Sequence, residues 1–407
     1  MTAVLDRPAT ATARRGLFLP HGVGFAGISA AMVAVLVAAG APGPLLPIYQ
    51  AQWGFAPWVL TLAFGVYAFA LLVTIPVVGS LSDYVGRRPL MIGSLALDLV
   101  AMVVFLLSPS IGWLIVARVV QGVATAAASS SLSAAVVELA PQRHKKLGAQ
   151  MTSMAPLAGL GIGALYSGLV AQFAADAAFA VWLVLVVVMA LATVFAVFTP
   201  ETATRKPGAL ASLVPRVSLP KQVRRLYATT VPGIVGAFMM MTLWMGLVPV
   251  VLVSVFHVRG PIVGALVAFV VFAVGAGVSA STSSVRPHLL RLAGMSGMTV
   301  GAIVFVGAIG AHAQALVWVS ALLTGAGIGS AFAGTTRGLV PEVAPHERAG
   351  LFTAIYVVGY LGMGVSAVVA GPVAGVVGAA TMASWFGVVT ALVTLTGVIA
   401  TARFNRR

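Results

Sequence analysis

The sequence predicts an all-α membrane protein in which twelve transmembrane helices form two pseudo-symmetric six-helix bundles. Three observations predict this fold. Of the 407 residues, 60% are hydrophobic and only 8% are charged, with a mean hydropathy of +1.08, whereas a soluble domain keeps roughly a quarter of its residues charged to face water. The apolar residues fall into runs of about twenty, the length that crosses the hydrocarbon of a bilayer. The basic residues occupy every second gap between those runs, as the positive-inside rule requires of cytoplasmic loops.

The apolar segments lie at 24–49, 58–80, 89–107, 112–136, 147–170, 178–199, 228–255, 261–284, 289–311, 315–337, 349–374 and 380–402. Each is expected to be a helix, because in lipid only helices and closed barrels satisfy their own backbone, and the alternating pattern of a barrel strand is absent. The 45 glycines and 22 prolines fit this assignment, since membrane helices tolerate both and pack closely through small residues.

Ahead of the first segment, Arg14-Arg15-Gly16-Leu17-Phe18-Leu19, with Ala38-Ala39-Gly40-Ala41 further on, imitates a twin-arginine signal peptide. Cleavage there would leave an odd number of spans, and the charge pattern calls for an even number. The other basic gaps hold Arg87 and Arg88; Arg143, Lys145 and Lys146; Arg205 to Arg225; Arg286 and Arg291; Arg337 and Arg348; and Arg403, Arg406 and Arg407, while the alternate gaps hold Arg259 alone. Both termini are therefore expected in the cytoplasm, in a multi-pass protein of the inner (plasma) membrane. A net charge of +15 distributed in this way speaks for topology and against nucleic acid as a partner. The lack of cysteine excludes disulfides, thiol nucleophiles and cysteine-ligated metals.

Between the second and third segments runs Gly79-Ser80-Leu81-Ser82-Asp83-Tyr84-Val85-Gly86-Arg87-Arg88-Pro89. Gly79 permits close helix contact, Asp83 can pair with a basic residue or cap a helix, Gly86 allows a tight turn, and the arginines anchor at head groups. In the third and fourth segments Asp98 and Arg118 are the only charges that sit deep. A charge at a helix centre costs about 2.5–3.5 kcal/mol on insertion scales, so both are functional candidates. At a rise of about 1.5 Å per residue their depths agree, and an ion pair between them is expected. Two roles stay open for it, a proton or substrate switch and a static link between helices.

Methionines recur at Met151 and Met154 in the fifth segment and through Met239-Met240-Met241-Thr242-Leu243-Trp244-Met245 in the seventh. Flexible thioethers suit a wall that adapts to varied apolar ligands, although lipid-facing filler would look similar. Gln121, Met154, Met241, Thr242 and Met245 are the candidate cavity residues. The polar stretch from Pro200 to Lys221 divides the chain into a bundle at 1–199, a cytoplasmic linker at 200–227 and a bundle at 228–407. An internal repeat supports the division: Glu138-Leu139-Ala140-Pro141 recurs 204 residues later as Glu342-Val343-Ala344-Pro345, and the same offset sets Arg87 opposite Arg291. The six histidines lie in gaps or at span ends without metal-ligand spacing. With no nucleophile elbow, phosphate loop or clustered carboxylates, nothing points to an enzyme, a metal or a cofactor.

The loop at 79–89 resembles the signature loop of the major facilitator superfamily, Gly-x-Leu-Ala/Ser-Asp-x-x-Gly-Arg/Lys-Arg/Lys, with Tyr84 where a basic residue is common. Arg118-Val119-Val120-Gln121-Gly122 is similar to the family's Arg-x-x-x-Gly motif, and Pro200-Glu201-Thr202 is typical of its drug-efflux branches. Two departures stand out: Ala155-Pro156-Leu157-Ala158-Gly159 replaces the antiporter motif Gly-Pro-x-x-Gly-Gly, and residues 286–291 lack the aspartate and glycine of a second signature loop. The resemblance implies a monomeric secondary transporter working by rocker-switch alternating access, and proton-coupled efflux of lipophilic small molecules. Its partners would be a small-molecule substrate, protons and the lipid bilayer. The resemblance also implies a conformational gate of Gly79, Asp83, Gly86, Arg87, Arg88, Glu138, Arg291 and Glu342, with Arg87 paired to Glu138 or Asp83. Proton coupling would fall to Asp98 and Arg118. The alternatives are uptake of a small organic solute and a non-transporting membrane sensor or assembly protein.

Overall fold

The computed structural model describes residues 19–56, 58–203, 206–213, 219–258, 260–344 and 347–404. Expectations that fall on Arg14, Arg15, Arg205, Arg259, Arg406 and Arg407 lie outside them. Among the described residues there is no strand, and twelve helices are long and apolar enough to cross a membrane. They are α1 (His21–Trp53), α2 (Trp58–Val78), α3 (Arg87–Leu106), α4 (Ile111–Leu139), α5 (Lys146–Phe173), α6 (Ala177–Phe198), α7 (Lys221–Ser254), α8 (Pro261–Ser281), α9 (Pro287–Gly310), α10 (Gln314–Glu342), α11 (Gly350–Val377) and α12 (Ala379–Phe404).

Number and order agree with the apolar segments, and the differences sit at helix ends. The seventh helix starts at Lys221 rather than 228, inside the stretch assigned to the linker, and the tenth runs to Glu342 rather than 337. In the seventh, polar residues continue the winding beyond the apolar stretch that hydropathy detects; in the tenth, a 3₁₀ turn at Val340–Glu342 carries it on.

Two helices depart from regular winding. In α1 the helix is interrupted at Ala41, between His21–Gly40 and Pro42–Trp53, where Pro42 offers no N–H to the turn before it. In α7, Leu243–Leu247 form a π turn. Pro249 explains its position, because proline offers no N–H to the carbonyl of Met245 four residues back.

Helices α1–α6 and α7–α12 pack mainly within their own groups, and the two groups meet along α5 with α8 and α2 with α11. Small residues set these crossings. At Gly168 beside Ala265, and at Gly371 beside Trp58 and Thr61, any side chain would collide with the facing helix. Both crossings lie toward the face opposite the chain ends. At that face Trp182 in α6 donates its indole N–H to the Tyr49 hydroxyl of α1 at 2.7 Å and stacks on Phe105 of α3 with ring centroids 4.1 Å apart.

An even number of spans returns the chain to the face where it began, here termed the terminal face. Apart from Arg118, all described lysines and arginines lie at or near it. The chain is a multi-pass membrane protein.

Candidate functional site

At the terminal face, the loop between α2 and α3 makes a short helical turn, Ser82–Val85, that ends at Gly86. Arg87 opens α3 and binds both expected partners. Its Nη1 meets Asp83 Oδ1 at 2.5 Å, and its Nη2 meets Glu138 Oε1 of α4 at 3.2 Å. Nη1 also donates to Ser82 Oγ. These are the ion pairs among the described residues, and both lie in the first six-helix group.

Sequence reading had not placed Glu201 in this set. Its carboxylate accepts the backbone N–H of Arg87 at 2.9 Å and of Arg88 at 3.2 Å, so it satisfies donors that the first turn of a helix leaves unpaired, where the helix dipole also favours an anion. Arg88 reaches across to the Val197 carbonyl. Thr202 donates to Glu138 Oε2 at 2.5 Å. The chain leaving α6 thus clamps the starts of α3 and the end of α4. Its signal was the Pro200-Glu201-Thr202 motif, read as a family trait without a partner. The linker then folds onto the same loop, with Lys206 N–H on the Tyr84 carbonyl at 3.1 Å and Ser80 Oγ on the Ser212 carbonyl at 3.3 Å. Gly79 brings this loop near the second group: a β-carbon there would stand 3.8 Å from Thr353 Oγ1 of α11.

Among the described residues the second group has no ion pair that matches the one at Arg87. Arg291 is buried, its Nε has no hydrogen-bond partner, and among the described residues it forms no ion pair with Glu342. Arg337 takes over the bracing, donating to the carbonyls of Thr282 at 2.6 Å and Ser279 at 2.7 Å and so tying α10 to α8.

Midway through the bundle a small cavity of about 80 Å³ lies between the two groups. Its wall follows helical periodicity: Phe64 and Tyr67 of α2, Arg118 of α4, Ser153, Pro156, Leu157 and Leu160 of α5, Phe238, Met241 and Met245 of α7, Ile328 and Phe332 of α10, and Tyr356, Tyr360 and Met363 of α11. The phenols of α11, four residues apart, were missed, although that spacing marks one helix face. A second, larger cavity of about 250 Å³ opens toward the opposite face, bordered by Gly43, Pro47, Trp244 and Pro249. Met245 lines both, and no other described residue does.

The structure corrects part of the expected cavity set. Met241 and Met245 line it; Met154, Thr242 and Gln121 do not. Thr242 is one step of about 100° from Met241 and gives its hydroxyl to the Phe238 carbonyl. Gln121 is buried and donates to the Ala38 carbonyl at 3.0 Å.

The expected ion pair is also absent. Arg118 Nη1 donates to Gln121 Oε1 at 2.9 Å, and its guanidinium lies 5.1 Å from the ring centres of both Phe64 and Tyr67. Asp98 is fully buried, and neither of its carboxylate oxygens has a hydrogen-bond partner. Equal depth does not fix azimuth. Arg118 faces the cavity, and Asp98 lies outside its wall on α3, which packs on α4 and α6. Tyr67 stands near enough to feel both charges.

The sequence profile of the Major Facilitator Superfamily matches residues 28–367. A search of curated proteins found no match. Among solved structures, the chain is similar to the human organic anion transporter MFSD10 (TETRAN), with a TM-score of 0.68 over 93% of this chain and 100% of that one, at 17% identity. That identity carries the fold alone. The profile spans most of the chain, and the chain belongs to the Major Facilitator Superfamily, a twelve-helix transporter family.

Proposed function

We propose that this secondary transporter expels lipophilic small molecules from the cytoplasm in exchange for protons, by rocker-switch motion of residues 1–199 against 228–407 about the 200–227 linker. The observation that carries this reading is the midplane cavity between the two groups, walled by methionine and aromatic side chains and bordered, among the described residues, by a single charge. Such a wall binds by area and adapts in shape. The basic terminal face supports a cytoplasmic placement of both termini in the inner membrane. Asp98 is the proton site in this scheme, because it is a fully buried carboxylate inside a span with no hydrogen-bond partner on either oxygen.

The test is compound-stimulated proton movement in proteoliposomes of the purified protein under an imposed pH gradient. Efflux requires that lipophilic compounds collapse the gradient in the direction opposite to their own movement. Movement of proton and compound in the same direction would instead establish uptake, and no compound-dependent movement across a broad panel would point to a non-transporting protein.

A further inference from the structure

Among the described residues Arg118 is the one charged side chain on the cavity wall, and no carboxylate stands beside it there. The residue is only 1% exposed. Of its five N–H donors, one is engaged by Gln121, and Nε finds no acceptor. Gln121 is pinned in turn by the Ala38 carbonyl, so it holds the guanidinium in place and cannot turn away. The rings of Phe64 and Tyr67 compensate the cation weakly and fix its plane. Asp98, the other buried charge, is not within ion-pair distance. A cation kept out of water without a counter-charge is costly unless something anionic arrives to meet it.

We propose that the cavity takes lipophilic organic monoanions, with a carboxylate or sulfonate on Arg118 and an apolar body along Met241, Met245 and Phe332. This proposal rests on the transporter reading above and names its substrate class. A planar guanidinium with free donors matches two anionic oxygens in a plane. Cationic amphiphiles meet an unpaired like charge, and neutral ones leave the arginine unsatisfied, so both bind more weakly than the acid.

Three probes of one shape decide the matter: 1-pyrenebutyrate, its methyl ester and 1-pyrenebutylamine, titrated by fluorescence against the full-length protein in detergent. The expected result is that the acid binds at least about tenfold tighter than either analogue. Arg118→Gln should bring the three affinities within about threefold of one another, and Arg118→Lys, which keeps charge without the planar fork, should fall between. Monodisperse elution and the thermal midpoint check folding. Should Arg118→Gln not fold, the wild-type ratio and Arg118→Lys still decide. An ester or amine that binds as tightly as the acid overturns the anion site while leaving the lipophilic cavity standing. Preference for the acid that survives in Arg118→Gln overturns the assignment to this residue. If none of the probes binds and none moves protons in vesicles, both the anion site and the transporter reading fall.

Discussion

Gly86 holds φ 103° and ψ 154°, a backbone region that other residues enter at a cost of about 1–3 kcal/mol, and a β-carbon there would collide with the Glu201 carboxylate. Gly86→Ala should therefore lower the thermal midpoint of the purified protein by a few degrees and loosen the clamp on α3. An unchanged midpoint would show that Glu201 does not hold this turn. Asp98 calls for a different experiment. Since it does not touch Arg118, replacing it unbalances no pair, and Asp98→Asn should fold, lose uphill transport and keep downhill exchange of substrate. Intact uphill transport in that variant would exclude it as the coupling site. Both charges were legible in the sequence because a charge in an apolar run has no structural excuse. Their separation was not legible, because depth can be counted along a helix but the direction of a side chain depends on which neighbours surround it.

The start of α3 gathers one arginine, three oxygen-bearing side chains and a cap from the chain after α6. Exposed pairs of this kind contribute about 1 kcal/mol or less, yet that suffices to shift an equilibrium between two conformers of similar energy. Asp83→Asn should accordingly reduce transport in vesicles while expression and thermal midpoint stay near wild type; unaltered transport would deny this element a gating part. The repeat at an offset of 204 residues located Arg291 and Glu342 correctly in the chain but not their chemistry. At Arg286-Pro287 a proline opens α9 where the first half has a glycine turn with an acid, so the second half lacks the loop that would orient Arg291. Within α7, Met241 and Met245 share a face because they are four residues apart, and Thr242 misses it by a quarter turn.

Across the whole molecule, lipid makes the fold legible: every span must be a helix, and its length and the charges that flank it can be counted. The cysteine-free sequence allows a direct check on orientation. Lys206→Cys should react with an impermeant maleimide only after the membrane is opened, and His312→Cys should react in intact cells. Labelling of position 206 from outside would invert the assignment of the faces. The meeting of the two groups was beyond the sequence, because the crossings of α5 with α8 and α2 with α11 join helices distant in the chain through residues as unremarkable as Gly168 and Gly371.

The side chain shared by the two cavities has a chemical vulnerability. Met245 alone among the described residues borders both cavities, so a small oxidant in either one meets its side chain. Conversion to the sulfoxide turns an apolar, supple side chain into a polar, chiral one, and a polar group on that wall invites water to bridge the two spaces. Brief peroxide treatment of proteoliposomes should therefore raise passive proton leak, reversibly on incubation with methionine sulfoxide reductases. Met245→Leu, close in volume and inert to peroxide, should keep its vesicles tight. If wild type and Met245→Leu leak to the same extent, the damage lies at other methionines and the two cavities are separated by more than this one side chain.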